Sequence, residues 1–199
     1  MPDRREPPQL VLASASPRRL DLLKQAGLAP DLTEAPAIDE RAGPAESPPR
    51  LASRLALGKA SEVASRHPGA YVLAADTVVA CGRRILPKAR DEAEARGCLE
   101  RLSGRRHKVH TAVAVVAPEG RRSSRVITTT VTFKRLSQPE IAAYLESGEW
   151  RDKAGGYAIQ GRAALFAPAI NGSYSGVVGL PLAETANLLA GLGYPVPGR

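Results

Sequence analysis

The chain has 199 residues, 43% hydrophobic and 24% charged, with a formal net charge of +8. That length and balance exclude wholesale disorder and suit one domain, in two lobes around a single cleft. No apolar run approaches the roughly 20 residues that cross a bilayer, and the N-terminal MPDRREPPQL has no apolar core of the kind a secretion signal needs.

A soluble, cytoplasmic protein without membrane contact is therefore expected. Two cysteines, Cys81 and Cys98, are too few for a disulfide framework and lack metal-type spacing. Cys98 falls inside a helical pattern and reads as a small core residue. The positive charge favours anionic partners, whether nucleic acid, membrane or a small polyanion.

In chain order, LVLASA from Leu10 reads as a short buried strand. SPRRLDLLKQAG follows as a helix, with Ser16 at its N-cap, Pro17 in the first helical position and Gly27 past its end. Residues 31–49 are rich in Pro, Ala and acids and read as a long loop, with a strand at most over 32–35. A second helix is expected from Pro48 to Arg66. YVLAAD from Tyr71 is a nearly all-apolar strand that ends on Asp76, followed by TVVA and a turn at Gly82. A third helix spans Asp91 to Leu102. HKVHTAVAVVA and RRSSRVITTTVTFKRL form two long strands joined at PEG. Thr128, Thr130 and Thr132 alternate along the second, the pattern of a half-solvated strand. Ser137 and Glu140 predict a capping box. A glycine-rich stretch from YAIQG through GLPL precedes a last helix, Leu182 to Leu192. Apolar strands alternating with helices define an α/β fold.

Several groupings carry chemistry. A helix N-terminus bears free N–H groups and roughly +0.5 elementary charge, a ready anion site. Arg18 and Arg19 stand in the first turn of such a helix, where the dipole disfavours cations, and an anion bound there would account for them. Lys59 shares a stripe with Leu51, Leu55 and Val63, so its ammonium must snorkel out or find a partner, and beside an anion site it is a candidate phosphate ligand. Asp76, at the end of a central strand, is a candidate to bind metal or activate water. The acidic pair Asp39 and Glu40 lies in the long loop, where a Mg²⁺ site needs only one or two carboxylates. Lys88 follows the Gly82 turn and stands near enough to reach phosphates. His67, His107 and His110 have neither zinc nor triad spacing, and His107 and His110 read as surface groups among basic neighbours. No Walker-type loop or GxGxxG is present.

Taken together, SASPRR, ADTVV, LPKARD, GGYAIQG and VVGLPL, in this order, make the chain resemble the Maf (septum-formation-inhibitor-like) family of nucleotide pyrophosphatases along nearly its whole length. The resemblance implies an inosine-triphosphatase-like mixed twisted sheet with flanking helices, and hydrolysis between the α and β phosphates with Mg²⁺ or Mn²⁺. By position it implies Asp76 as proton acceptor, Ser14, Arg18 and Arg19 as phosphate binders, and Glu40, Lys59 and Lys88 as the other polar site residues. Glu40 and Asp76 are the expected metal ligands. Arg18, Thr77 and Gln160 resemble the branch acting on dTTP and UTP, and a glutamine amide matches a pyrimidine imide. Where the family often has Pro after the lysine, this chain has Ala89. The family also implies a homodimer, for which the sequence offers no interface signature. The rival readings are a basic nucleic-acid-binding protein and a nucleotide-sensing regulator of cell division without turnover. With 4% aromatic residues, stacking platforms for nucleic acid are few.

Overall fold

The computed structural model describes residues 8–198. Most of the N-terminal stretch read above as lacking a secretion signal, residues 1–7, lies outside the described residues. Strand β1 (Leu10–Ala13) is buried at all four positions and runs parallel to its neighbours β2 (Leu32–Glu34) and β3 (Tyr71–Cys81). Its unbroken apolar run fits a strand covered on both faces. One sheet, in the order β2-β1-β3-β5-β6-β7, runs through the molecule, and β4 (Arg84–Leu86) folds back on the end of β3. The long hairpin β5 (Arg106–Val116) and β6 (Arg122–Thr132) is antiparallel to β3, and the short β7 (Ala169–Asn171) closes the far edge.

The two faces of the sheet are covered unequally. Helix α2 (Pro48–Ala64) buries Leu51, Ala52, Leu55, Ala56, Ala60 and Val63 against one face, where Val72, Ala74 and Val78 of β3 point. On the other face Tyr71, Leu73, Ala75 and Val79 meet α1 (Pro17–Gln25), α3 (Glu92–Leu102), α4 (Gln138–Glu146), α5 (Tyr174–Val178) and α6 (Leu182–Gly191). This strict alternation along β3 sends Asp76 toward α2 and Thr77 toward the opposite face. Both halves of the predicted capping box form at the start of α4. Cys98 is buried in the larger core cluster, as read from its helical setting.

Two expectations change, and one stretch gains elements the sequence did not name. Asp76 does not end its strand. β3 continues five residues beyond it, because β5 pairs with it from Val72 to Ala80. His107 and His110 are not surface groups; they are 2% and 7% exposed. The β5 alternation exposes Arg106 and Lys108 while turning His107 inward beside Val109 and against Phe133 and Tyr157. His110, on the opposite face, bonds Thr128 Oγ1 through Nδ1 at 2.9 Å. The glycine-rich stretch, for which the sequence named no element, holds a 3₁₀ turn over 162–166, then β7 and α5.

Candidate active site

On one edge β3 is paired by β5 throughout. On the other it is paired by β1 only over 71–73 and by β4 only over 79–81. The unpaired interval contains Asp76 and Thr77. A cavity of about 580 Å³ opens there, within the range of ligand pockets. Asp76 thus owes its access to the place where two neighbours leave the edge, rather than to a strand terminus.

From the α2 side comes Lys59, whose side chain is 7% exposed. A buried ammonium is costly unless it is paired. Here Nζ donates to Asp76 Oδ1 at 2.7 Å and lies 2.6 Å from Glu40 Oε1. The loop acids therefore part company: Asp39 turns outward to Arg41, while Glu40 turns inward. Glu40 is raised by burial, but the hydrogen bond and charge of Lys59, with the charges of Lys88 and Arg19, hold it below the ordinary carboxylate value. Lys88 lies 3.7 Å from Glu40 Oε2 and is fixed by a bridge to Ala154, with Gly155 N–H donating to the Pro87 carbonyl. Ala89, in the place of the family's proline, is buried.

From the α1 side come Ser14, Arg18 and Arg19. The cap residue Ser16 makes no side-chain cap bond, and no acid occupies the first turn. Arg19 donates Nε–H to the Gly179 carbonyl at 2.9 Å and a terminal N–H to Ser14 Oγ at 3.0 Å. Of five donors, these occupy two. Loss of solvation pulls Arg19 below its ordinary value, opposed by Asp76 and Glu40. Arg18 is lowered likewise by burial and then by Arg19, and reaches only the Asp152 carbonyl, at 3.4 Å. Gly179 has φ +139, and a Cβ there would meet Arg19 Nε at 3.6 Å and Thr77 Oγ1 at 3.9 Å.

The cavity is completed by a wall that sequence reasoning missed: Asp152, Lys153, Ala154 and Tyr157. Gly155 brings this segment against β3, since a Cβ there would lie 2.9 Å from Val79 Cγ1. Lys153 is lowered by burial and then by Arg18. The signal available was a lysine two residues ahead of the Gly155-Gly156 pair that opens the segment already quoted for its likeness. Five cations line the cavity (Arg18, Arg19, Lys59, Lys88, Lys153) against three acids (Glu40, Asp76, Asp152). Ser14, Arg18, Arg19, Glu40, Lys59, Asp76, Thr77 and Lys88 are all brought together there. Gln160 is not. It is exposed, because Tyr157, Ala158 and Ile159 are all buried and a turn closed by Gly161 N–H to the Ala158 carbonyl at 3.0 Å follows them.

Among the described residues no three His, Cys, Asp or Glu side chains form a metal-type group, and no helix is long and apolar enough to cross a membrane.

A mixed sheet whose opened edge gathers excess positive charge beside two carboxylates defines an α/β protein with a site for a polyanion. The chain belongs to the family described as Maf-like protein, which it matches over residues 9–192. It is 62% identical over 195 residues to a protein named dTTP/UTP pyrophosphatase from Maricaulis maris, covering 96% of this chain and 92% of that one. A protein of the same name from Paramagnetospirillum magneticum is 63% identical over 185 residues, 93% and 97% of the two chains. A solved nucleoside-triphosphatase and dITP/XTP pyrophosphatase from Mycobacterium abscessus aligns with 64% of this chain and 75% of its own, at TM-score 0.43 and 21% identity.

Proposed function

We propose that this protein hydrolyses dTTP and UTP between the α and β phosphates, giving the monophosphate and pyrophosphate. The observation that carries the reading is the meeting of the two lysine-bound carboxylates with the arginine-bearing helix start in one cavity. Its relatives' names supply the nucleotide; the cavity supplies the chemistry.

In this reading the triphosphate lies against Arg18, Arg19, Ser14 and Lys88. Asp76 takes a proton from a water whose oxygen bonds to the α-phosphorus. The bond from that phosphorus to the bridging oxygen breaks, and pyrophosphate leaves with the electron pair. Arg18, Arg19 and Lys88 meet the charge gathering on the departing group, the largest kind of contribution to such transfers. Lys59 holds Asp76 and Glu40 in one orientation through its two bonds. Ser14 is a phosphate-facing hydroxyl rather than a nucleophile: its Oγ accepts from Arg19 and from the Ser16 N–H, and neither is a general base.

A divalent cation, Mg²⁺ or Mn²⁺, fits the donor set. Two carboxylates share one ammonium, so their oxygens lie close together, and hard oxygen donors few in number suit an ion that completes its shell with phosphate oxygens and water. Asp76 and Glu40 would hold it, and when bound it supplies neutralising charge and Lewis acidity at the phosphates. Thr77 and Arg18 line the cavity as the inner part of the predicted specificity set, whereas Gln160 lies outside the lining.

Pyrophosphate release from a panel of common nucleotides, with Mg²⁺, with Mn²⁺ and with chelator, tests the reading. Release from dTTP and UTP that chelation abolishes is expected. Absence of release from every nucleotide, or equal release without a metal, would overturn it.

A further inference from the structure

Behind the cavity, directly across the β3–β5 pairing from Thr77, stands Thr111, a residue 1% exposed. Its hydroxyl oxygen lies 2.7 Å from the Gly176 carbonyl of α5 and 3.2 Å from Thr77 Oγ1. The Gly176 carbonyl can only accept, so the shorter contact takes the Thr111 proton. A hydroxyl has one proton. The contact with Thr77 is therefore made by the proton of Thr77, donated to Thr111. Thr111 is shut off from bulk solvent, and strand pairing sets its backbone directly opposite that of Thr77. Thr77, half-buried and lining the cavity, is left with lone pairs to offer a ligand.

We infer that Thr111 is a positioning residue for base selection: by committing its proton to Gly176 it makes Thr77 a hydrogen-bond acceptor toward the cleft, which suits a base with an imide N–H. This rests on the activity proposed above. Two donors are common to uridine and thymidine nucleotides, the base N3–H and the sugar 3′-hydroxyl. Cytidine nucleotides keep the sugar hydroxyl but present a lone pair at N3, which meets the lone pairs of Thr77 unfavourably. Comparing UTP with CTP therefore isolates the base. Including dTTP controls for the 2′-hydroxyl. An acceptor facing an acceptor in a desolvated site is worth roughly tenfold to a hundredfold in discrimination.

The test is kcat and KM for UTP, dTTP and CTP in the wild type, Thr111→Ser and Thr111→Val, with thermal melting of each. Thr111→Ser keeps the hydroxyl and is expected to keep the preference for UTP over CTP. Thr111→Val frees the Thr77 proton to face the base, so the preference should shrink about tenfold, chiefly because the KM for CTP approaches that for UTP. Thr111 also ties down α5, whose end lines the cavity and leads to the Gly179 carbonyl that holds Arg19. Were it only such a prop, Thr111→Val would depress all three nucleotides in proportion. That result overturns the inference. So does loss of the preference in Thr111→Ser, or a wild type that takes CTP as readily as UTP. The wild-type arm keeps the two readings apart: no turnover of any nucleotide removes both, whereas turnover with an unchanged ratio in Thr111→Val removes this one alone.

Discussion

The two walls of the cleft handle charge in opposite ways. On the α2 and β3 wall, Lys59 is already answered by Glu40 and Asp76, and Lys88 approaches Glu40. On the α1 and 152–157 wall, Arg18, Arg19 and Lys153 bond to carbonyl and hydroxyl oxygens and make no ion pair among the described residues. The first wall is complete without a ligand. The second holds desolvated cations side by side, an arrangement that costs stability until an anion arrives. In the proposed reading one wall serves the fold and the reaction, the other capture.

The largest effect should come from the first wall. Asp76→Asn keeps size and removes the proposed proton acceptor, so turnover of dTTP should fall about a thousandfold or more while nucleotide binding persists. Turnover near that of the wild type would mean that another group activates the water. Lys59→Met comes next. It leaves Glu40 and a buried Asp76 facing one another without their cation, and a loss of about 3–5 kcal/mol in urea unfolding is expected. A stability change within about 0.5 kcal/mol would show that the triad does not hold this wall together.

Sequence made much of this wall legible, and physical reasons explain where it stopped. Lys59 was visible because a charge on an apolar helical stripe demands a partner, although the sequence pointed to phosphate and the structure supplies Glu40 and Asp76. Asp76 was visible but misplaced. Aspartate reads as a strand end, and only the pairing of β3 with β5 shows the strand continuing. The histidines of β5 misled because basic neighbours two apart say nothing about which face is covered; His107 is buried by Phe133 and Tyr157, distant in sequence, and His110 lies on the opposite face, the one α2 packs against. The capture wall was half legible. Arg18 and Arg19 announced themselves against the helix dipole, but Lys153 and Tyr157 enter through a turn built on Gly155 packing against Val79. Thr111 gave no signal at all, since its meaning lies in the residue opposite it.

His107 supplies a pH test that separates the walls from their support. Its Nε2 bonds Tyr157 Oη at 2.8 Å and its Nδ1 has no partner, and burial pulls the imidazole down to about 4. The unfolded chain holds a proton on this ring below about 6.5, where the folded protein does not. Stability is therefore complete above that pH and is lost as pH falls from about 6.5 to about 4, by up to about 3 kcal/mol. Glu40, lowered by its lysines, adds its loss only below the usual carboxylate range, so the two limbs occur in separate windows. Stability against pH in wild type and in the double substitution His107→Phe with Tyr157→Phe checks this. The upper limb should shrink in the variant, with the remainder carried by His110, which burial and Lys108 also lower, and the lower limb should remain. An unchanged upper limb would place the acid sensitivity elsewhere.

The smallest effect probes the capture wall and is the sharpest test of the contrast. Arg18 lies beside Arg19 and its own bond is a long one, to the Asp152 carbonyl at 3.4 Å. Removing its charge should relieve repulsion at little structural cost. Arg18→Gln is expected to raise the melting temperature by about 1–2 °C at low salt, a gain of under about 1 kcal/mol for a chain of this size. The difference should fade as salt rises, because screening acts on both proteins but the wild type has more to lose from self-repulsion. Added pyrophosphate should reverse the order, stabilising the wild type more than the variant, since at a given concentration the anion that binds the folded state more tightly raises the melting temperature further. A variant that melts lower than the wild type at every salt concentration would mean that Arg18 is a structural tie to the 152–157 segment, and the two walls would then differ in geometry but not in purpose.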